Sequence, residues 1–383
     1  MKAGWQTKKL GEVCIVDKRQ GNNKDLPYVG LEHIESQTGR FIGSPEPVGV
    51  KSTTFKFSTE HLLYGRLRPY LNKVMLPNFI GHCSTEIFPL KPRPELLREF
   101  LQYWFLMDAT VEQIDATSTG ARMPRANMNA VLNFKFPLPP LPEQQRIVHI
   151  LDQAFAGIAT AKTNTEKNLQ NARALFESYL DEVFSQRGGG WEEKRLDEVY
   201  DVRDGTHDSP KFQKFGYAFV TSKNLKNSLL NFDKIQFISE EDYNNYNKRS
   251  KVDKGDILFA MIGTLGNPVI VEIEPNFAIK NVALIKVPNT QSNYFLNYYL
   301  GSKSIVDKIY NDAKGTTQKF MGLGNLRKLI IFLPSLTEQR AIVAKLDTLH
   351  GETQRLASLY QCKLAALDEL KKSLLHQAFN GEL

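Results

Sequence analysis

Residues 138–152, LPPLPEQQRIVHILD, come back near the far end of the chain as LPSLTEQRAIVAKLD (333–347), with nine of fifteen positions identical at an offset of 195. The offset persists downstream, where LFESYLDEVF (175–184) faces LKKSLLHQAF (370–379) through Leu175/Leu370, Ser178/Ser373, Leu180/Leu375 and Phe184/Phe379. Upstream, WQTKKLGEV (5–13) matches WEEKRLDEV (191–199) at an offset of 186. One plan is therefore written twice: a tryptophan start, a globular region, then a shared segment. The second globular region is a net nine residues longer. An internal repeat on this scale sets the domain plan before any local propensity does. It divides the chain into a first globular domain (1–137), a first spacer helix (138–190), a second globular domain (191–332) and a second spacer helix (333–383). At 383 residues there is enough chain for each copy to bury its own core.

The shared segments read as helices. Pro142 suits a first turn, where a missing N–H costs nothing. Ser335 and Glu338 have capping-box spacing. Apolar or small residues then recur in steps of three and four, from Ile147, Leu151 and Ala154 to Val183, and from Ile342, Leu346 and Leu349 to Ala378. That is coiled-coil spacing. Both copies take an extra step of four at the same place, 165 to 169 and 360 to 364, a shared stutter. Gly188, Gly189 and Gly190 close the first helix and Gly381 the second. Helices of roughly 44 residues span about 65 Å. If the second pairs with the first it must run back along it, so an antiparallel coil with a pseudo-twofold internal repeat is expected. The C-terminal Leu383 should then return to the start of the chain.

In the globular regions, 71–92 and 269–288 look like short strands broken by Pro, Asn and Gly. ELLREFLQYWFLMDA (95–109) and SNYFLNYYLGSKSIVDKIY (292–310) look helical, and Gly120 and Gly315 punctuate a basic loop in each copy. The expected fold class is mixed α/β (α+β): two globular domains joined by two long pairing helices.

Charge narrows the function. Of the net +7, residues 1–137 carry +5 and 191–332 carry +3, while the shared segments come to −1 and 0. A positive surplus confined to the globular regions fits a polyanion partner. Cys14, Cys83 and Cys362 are far apart and form no CxxC pair, which suits a reducing compartment rather than a disulfide framework or zinc site. The N-terminus lacks the apolar stretch of a signal peptide, and no apolar run is long enough for a bilayer. The expected location is cytoplasmic.

Catalytic signatures are mostly missing. There is no GxxxxGK[ST] phosphate loop. GNPVI (266–270) has Asn-Pro but not the Asn-Pro-Pro-aromatic loop of amino-methyltransferases, and GLGNL (322–326) reads as a turn. Asp181, Glu192 and Lys194 imitate a metal-nuclease spacing but fall on a helix and a domain start. His33, His61, His82, His149, His207, His350 and His376 make no metal-ligand pattern.

The duplicated PLPPLPEQQRIV and FLPSLTEQRAIV at the domain-to-helix junctions resemble the specificity subunits of type I restriction-modification systems. The resemblance covers the whole chain. It extends to YGRLRPYLNKV (64–74) and CSTEIFPLKP (83–92) in the first globular region. In the second it takes in DGTHDSPKF (204–212), KRSKVDKGDILFAMIGTLGN (248–267) and AIKNVALIKV (278–287). It implies two target-recognition domains, each reading half of a split DNA sequence, and helices that set their separation; because the two regions differ in sequence (GRLRPYLNK against DGTHDSPKFQK), the halves should differ and the target should be asymmetric. It implies as partners double-stranded DNA, two methylation subunits and, through the complex, restriction subunits. S-adenosylmethionine, ATP and Mg belong to those partners, so this chain itself needs no cofactor and is not an enzyme.

DNA contact needs cations for phosphate and planar or amide groups for base edges. The candidates in the first region are Arg66, Arg68, Tyr70, Asn72 and Lys73, with Arg122 and Arg125 on the glycine loop. In the second they are Thr206, His207, Lys211, Lys214, Lys223, Asn224, Lys248 and Arg249, with Lys314, Gln318 and Lys319 on the glycine loop. For partner subunits, Phe155, Leu175, Leu180 and Phe184, repeated as Leu370, Leu375 and Phe379, make an apolar stripe outside the seam, and an exposed stripe marks an interface. The other reading open at this point is an assembly scaffold whose globular ends bind protein.

Overall fold

The computed structural model describes residues 4–21, 24–186, 188–226, 228–263, 265–313, 315 and 319–383. It falls into two compact units, Met1–Glu166 with Gln361–Leu383, and Lys167–Tyr360. The first long helix runs Leu141–Gln186 and the second Leu336–Asn380, each continuous from one unit into the other. The chain passes to the second unit after Glu166 and returns after Tyr360, within one residue of the repeat offset.

In the first unit an antiparallel four-stranded sheet runs in the order Cys14–Val16, Ile87–Pro92, Leu62–Gly65, Val74–Met75. Beside it Tyr28–Val29 pairs in parallel with Gly81–Ser84, whose other edge takes Thr54–Phe57. Gln6–Lys9 and Lys135–Leu138 form a two-stranded ladder that closes the domain just before the long helix. The second unit repeats this. Its antiparallel sheet runs Asp201–Asp204, Val282–Lys286, Ile257–Ala260, Gly266–Ile270, and its closing ladder is Glu192–Arg195 with Ile330–Leu333. Tyr217–Thr221 pairs in parallel with Phe277–Lys280, but the third strand, Gln236–Ile238, adds to the opposite edge of that pair.

Strand register places the nine extra residues. Ile15 and Asp201 both face the Lys91/Lys286 position, an offset of 186. Tyr28 and Ala218 face His82 and Phe277, an offset of 190. From the central strand onward the offset is 195. The insertions thus fall in loops around the small sheet, where the second unit also carries a helix, Glu240–Ser250. The sequence's two helical stretches each break in two, into Arg98–Phe105 and Asp108–Ala116, and into Asn293–Gly301 and Lys303–Asp312. GLGNL, read as a turn, opens a short helix, Leu323–Arg327.

The seam is as the spacing predicts. Ile147, Leu151, Leu346 and Ala378 are fully buried, and no seam residue is exposed. In the first unit Arg146 Nη2 donates to the Leu383 carbonyl at 2.5 Å and Lys162 pairs with Asp368, so the two helices run antiparallel there. Leu383 and Trp5 pack on the same core, while Met1 lies outside the described residues. In the second unit the rings of Phe176 and His350 meet at 4.5 Å. The polar seam residues Thr165 and Thr353 turn their hydroxyls back onto Ala161 O (2.6 Å) and Leu349 O (2.9 Å), satisfying them within the helix. Only half of the capping box forms: the Glu338 N–H donates to Ser335 Oγ, but the Glu338 carboxylate accepts from Trp191 Nε1 at 3.0 Å.

The repeated wording has a packing reason. Gln144 and Gln339, one in each copy of the motif, are fully buried (0 % exposed). Gln144 Oε1 accepts from Leu97 N (2.8 Å), and its Nε2 donates to Glu95 O (2.9 Å) and Pro139 O (2.8 Å). Gln339 does the same with Ser292 N (2.9 Å), Gln291 Oε1 (2.7 Å) and Pro334 O (2.9 Å). Two turns later Asp152 accepts from the Tyr103 hydroxyl, and Asp347 from Tyr298 at 2.6 Å. Burial and the adjacent carboxylate push both phenols up, so they stay protonated donors. The helix starts are thereby fastened to their own domains.

The same packing corrects the expected partner stripe. Phe184 meets Phe295 at 5.5 Å and Phe379 meets Phe100 at 4.7 Å, each inside a domain core. Leu180 and Leu375 are buried with them, and half-buried Phe155 packs edge-on against Tyr103 beneath Lys371 Nζ. Each helix end anchors a domain, which consumes the apolar surface. Only Leu175 and Leu370 remain exposed.

Replacing Gln144 with Leu strands one buried N–H and two carbonyls, at an expected cost of about 3 kcal/mol. Hydrogen exchange should show protection lost at the Leu97 amide and through the first unit; unchanged protection at Leu97 would refute the anchoring role. A thiol titration checks the cores. Burial pushes Cys14 up to about 12 and raises Cys83 as well, while Cys362 is exposed. One thiol per native chain should react with a maleimide and three after unfolding.

Candidate nucleic-acid interface

In both domains the loop after the central strand is stitched to the glycine loop by the same backbone bonds. In the first, Leu67 bridges Arg125, Arg68 N donates to Pro124 O (2.7 Å) and Ala126 N to Arg66 O (2.9 Å). In the second, Ile262 bridges Phe320, Gly263 N donates to Lys319 O (3.1 Å) and Met321 N to Met261 O (2.9 Å). Every one of these positions matches its counterpart at the offset of 195. Gly120 and Gly315, at φ of +93° and +100°, allow the loops their turn.

The side chains on this shared backbone differ. In the first domain Glu86 accepts from Arg66 Nε (3.0 Å) and from Arg125 Nε and Nη2 (2.9 and 2.8 Å). Burial alone would raise the Glu86 carboxyl, but the hydrogen bonds from Arg125 and Arg66 outweigh it and hold it below the usual carboxylate range. Arg66 also lies over the Phe88 ring at 5.1 Å. Arg68 and Asn72 take positive φ (+50° and +43°) either side of a 3-10 turn, Pro69–Leu71.

Asn72 is buried and donates to Phe105 O (2.9 Å), and Lys73 Nζ donates to Leu31 O and Ile34 O (2.7 Å each). Both were candidate readers; their polar ends are spent holding the loop. Arg68, Tyr70 and Arg122 are exposed, and neither the Arg68 nor the Arg122 guanidinium has a side-chain partner among the described residues.

In the second domain the positions of Arg66, Glu86 and Arg125 hold Met261, Asn281 and Phe320. Met261 is buried and Phe320 exposed. Asn281, at φ +53°, brings Oδ1 to 2.6 Å from His207 Nδ1, and His207 Nε2 lies 2.9 Å from Asp204 Oδ2. Thr206 bonds Asp208. Lys211 and Lys214 are exposed beside Phe215, which is 84 % exposed although the Gln213 N–H is tied to Phe237 O (2.9 Å).

Lys223 shares a cleft of about 350 Å³ with Lys226 and Lys234, two lysines that local clustering in the sequence did not pick out. Asn224 is buried instead, accepting from Thr221 N (2.9 Å) and donating to Asn231 O (3.0 Å). Lys248 and Arg249 are exposed in the last turn of Glu240–Ser250, and Lys319 is half-buried. Lys314 and Gln318 lie outside the described residues. Glu86 also went unremarked, because its meaning depends on arginines that only folding brings to it.

Asp181 accepts from the Ser304 N–H (2.8 Å), and Glu192 pairs with Lys194 (3.1 Å) on a closing strand. No group of His, Cys, Asp and Glu among the described residues could hold a metal ion. No helix among them is long and apolar enough to cross a membrane.

The family model described as "Type I restriction modification DNA specificity domain" matches residues 2–171 and again 188–361, one match per repeat. The chain belongs to that family. An EcoDI specificity subunit from Escherichia coli is 28% identical over 185 residues, 47% of this chain and 41% of its own length. The EcoBI specificity subunit of the same organism is 23% identical over 309 residues, 73% of this chain and 65% of its own. The chain thus spans between two fifths and two thirds of these relatives. The crystal structure of an HsdS subunit from Thermoanaerobacter tengcongensis shares the fold over 100% of this chain and 98% of that one, with a TM-score of 0.72 at 24% identity. A chain from a type I R-M system studied for its assembly and conformational transition gives 0.83, also at 24% identity, over 100% and 99%.

The contrast within the first loop is testable. Asn72→Ala removes a buried hydrogen bond and puts a β-carbon residue without a polar side chain at positive φ, so about 2 kcal/mol of stability should go. Arg68→Ala, on the surface, should stay within about 0.5 kcal/mol. Denaturant melts of the two variants decide it, and equal losses would contradict the assignment.

Proposed function

We infer that this chain is the DNA-recognition subunit of a type I restriction-modification complex, with the first globular domain reading one half of a split target and the second the other. The observation that carries the reading is the pair of identical backbone stitches bearing different side chains: arginines and a carboxylate in one domain, Met261, Asn281 and Phe320 in the other. A common frame with unlike polar groups suits two unlike half-sites. The exposed guanidiniums of Arg68 and Arg122 can bind phosphate or take guanine bidentately, and Tyr70 offers a ring to sugar or base. The surplus of +5 and +3 on the two globular regions supplies the sequence-independent attraction.

In this reading the chain is cytoplasmic and non-catalytic. Two methylation subunits and, through the complex, restriction subunits bring S-adenosylmethionine, ATP and Mg. Leu175 and Leu370, the remaining exposed members of the stripe, are where a methylation subunit is sought.

Replacing residues 197–332 with another recognition domain should change one half of the methylated motif in host DNA and leave the other half and the gap unchanged. Changes in both halves would contradict independent reading. Arg68→Ala with Arg122→Ala should weaken binding to any duplex and lower the salt slope by about 2 if both contact phosphate. A chain that binds its partner subunits but shows no salt-dependent DNA binding would favour the scaffold reading.

A further inference from the structure

Glu86 is a carboxylate placed where a DNA-binding surface would gain from having none. It sits at the stitched loops, takes both Arg66 and Arg125 at 2.8–3.1 Å, and is held below the usual carboxylate range, so it is an anion at any working pH. Two cations and one anion leave a single net charge. Each arginine spends Nε on the carboxylate and Arg125 also spends Nη2, with Nη1 on Met123 O (3.2 Å). Arg66 is further fixed over Phe88 and keeps both terminal nitrogens unbonded by described residues. A guanidinium held by its Nε and a ring face cannot swing to whichever phosphate is near. It presents a fixed pair of N–H groups, the geometry that matches guanine O6 and N7.

We propose that Glu86 is a positioning residue that withholds Arg66 and Arg125 from phosphate and aims Arg66 at a base edge, so that the first domain trades general DNA affinity for discrimination. The inference rests on the recognition reading above and deepens it. The device belongs to the first domain alone, since the second has Met261, Asn281 and Phe320 at these positions.

The test is the salt dependence of binding by the full chain with its methylation partner. Two probes are used, a random-sequence duplex and a duplex carrying the motif methylated in the host. Glu86→Gln keeps the shape and removes the charge. It should tighten random-duplex binding and steepen the log–log salt slope by about 1 to 2 as one or both arginines reach phosphates. The ratio of motif to random affinity should fall about fivefold, the lower end for a lost bidentate contact. Glu86→Asp, which retains the charge, should keep the wild-type slope.

Arg66→Ala tests the same claim without touching the carboxylate. It should lower motif affinity and leave the random-duplex slope unchanged. If Glu86→Gln changes neither slope nor ratio, or if Arg66→Ala lowers the random-duplex slope by about 1 as a phosphate contact would, the positioning role is wrong while recognition stands. No salt-dependent binding by the wild type would overturn both.

Discussion

Two buried glutamines hold the plan of this chain together. An amide in the first turns of a helix can satisfy a donor and two acceptors at once, and Gln144 and Gln339 each do so against two groups of the helix's own domain and one carbonyl of the segment leading into the helix. Burying that amide is tolerable only because every polar atom on it is matched. The geometry fixes the angle at which the helix leaves the domain. The phenol–carboxylate pairs Tyr103–Asp152 and Tyr298–Asp347 fix its rotation two turns on. At the other end of each helix, Phe184 or Phe379 enters a domain core. Each domain is thus gripped by the start of one helix and the end of the other.

That grip leaves the loops free to differ. The backbone stitch between the central-strand loop and the glycine loop is the same in both domains, and so is the order of the four-stranded sheet. The differences in chain length lie around the small sheet, where the register offset moves from 186 to 190 to 195, and the side chains on the stitch differ as well. Anchoring residues repeat because both domains need the same support. The side chains on the stitch do not repeat, because the shared backbone bonds place no demand on their chemistry.

Much of the architecture was legible in the sequence. The seam residues, the stutter and the direction of pairing follow from periodicity and from the repeat itself, and the short strands from their turn residues. The anchoring glutamines were visible as repeated letters but not as anchors, since a polar residue on a helix reads as solvated until its partners, 47 residues upstream for Leu97 and Ser292, are brought to it. The apolar stripe failed for the converse reason: Leu180, Phe184, Leu375 and Phe379 look surplus to the coil until the domain cores claim them. At the surface, residue type alone could not separate Arg68 and Arg122 from Asn72, Lys73 and Asn224. The latter three point inward to cap backbone groups that exist only in the folded loops.

The central claim, two separately anchored reading heads on one chain, is met most directly by hydroxyl-radical footprinting. The full chain with its methylation partner would be placed on DNA carrying the methylated motif. Two protected tracts of different sequence, with cleavable bases between them, are predicted. One continuous tract, or two tracts of the same sequence, would contradict the account.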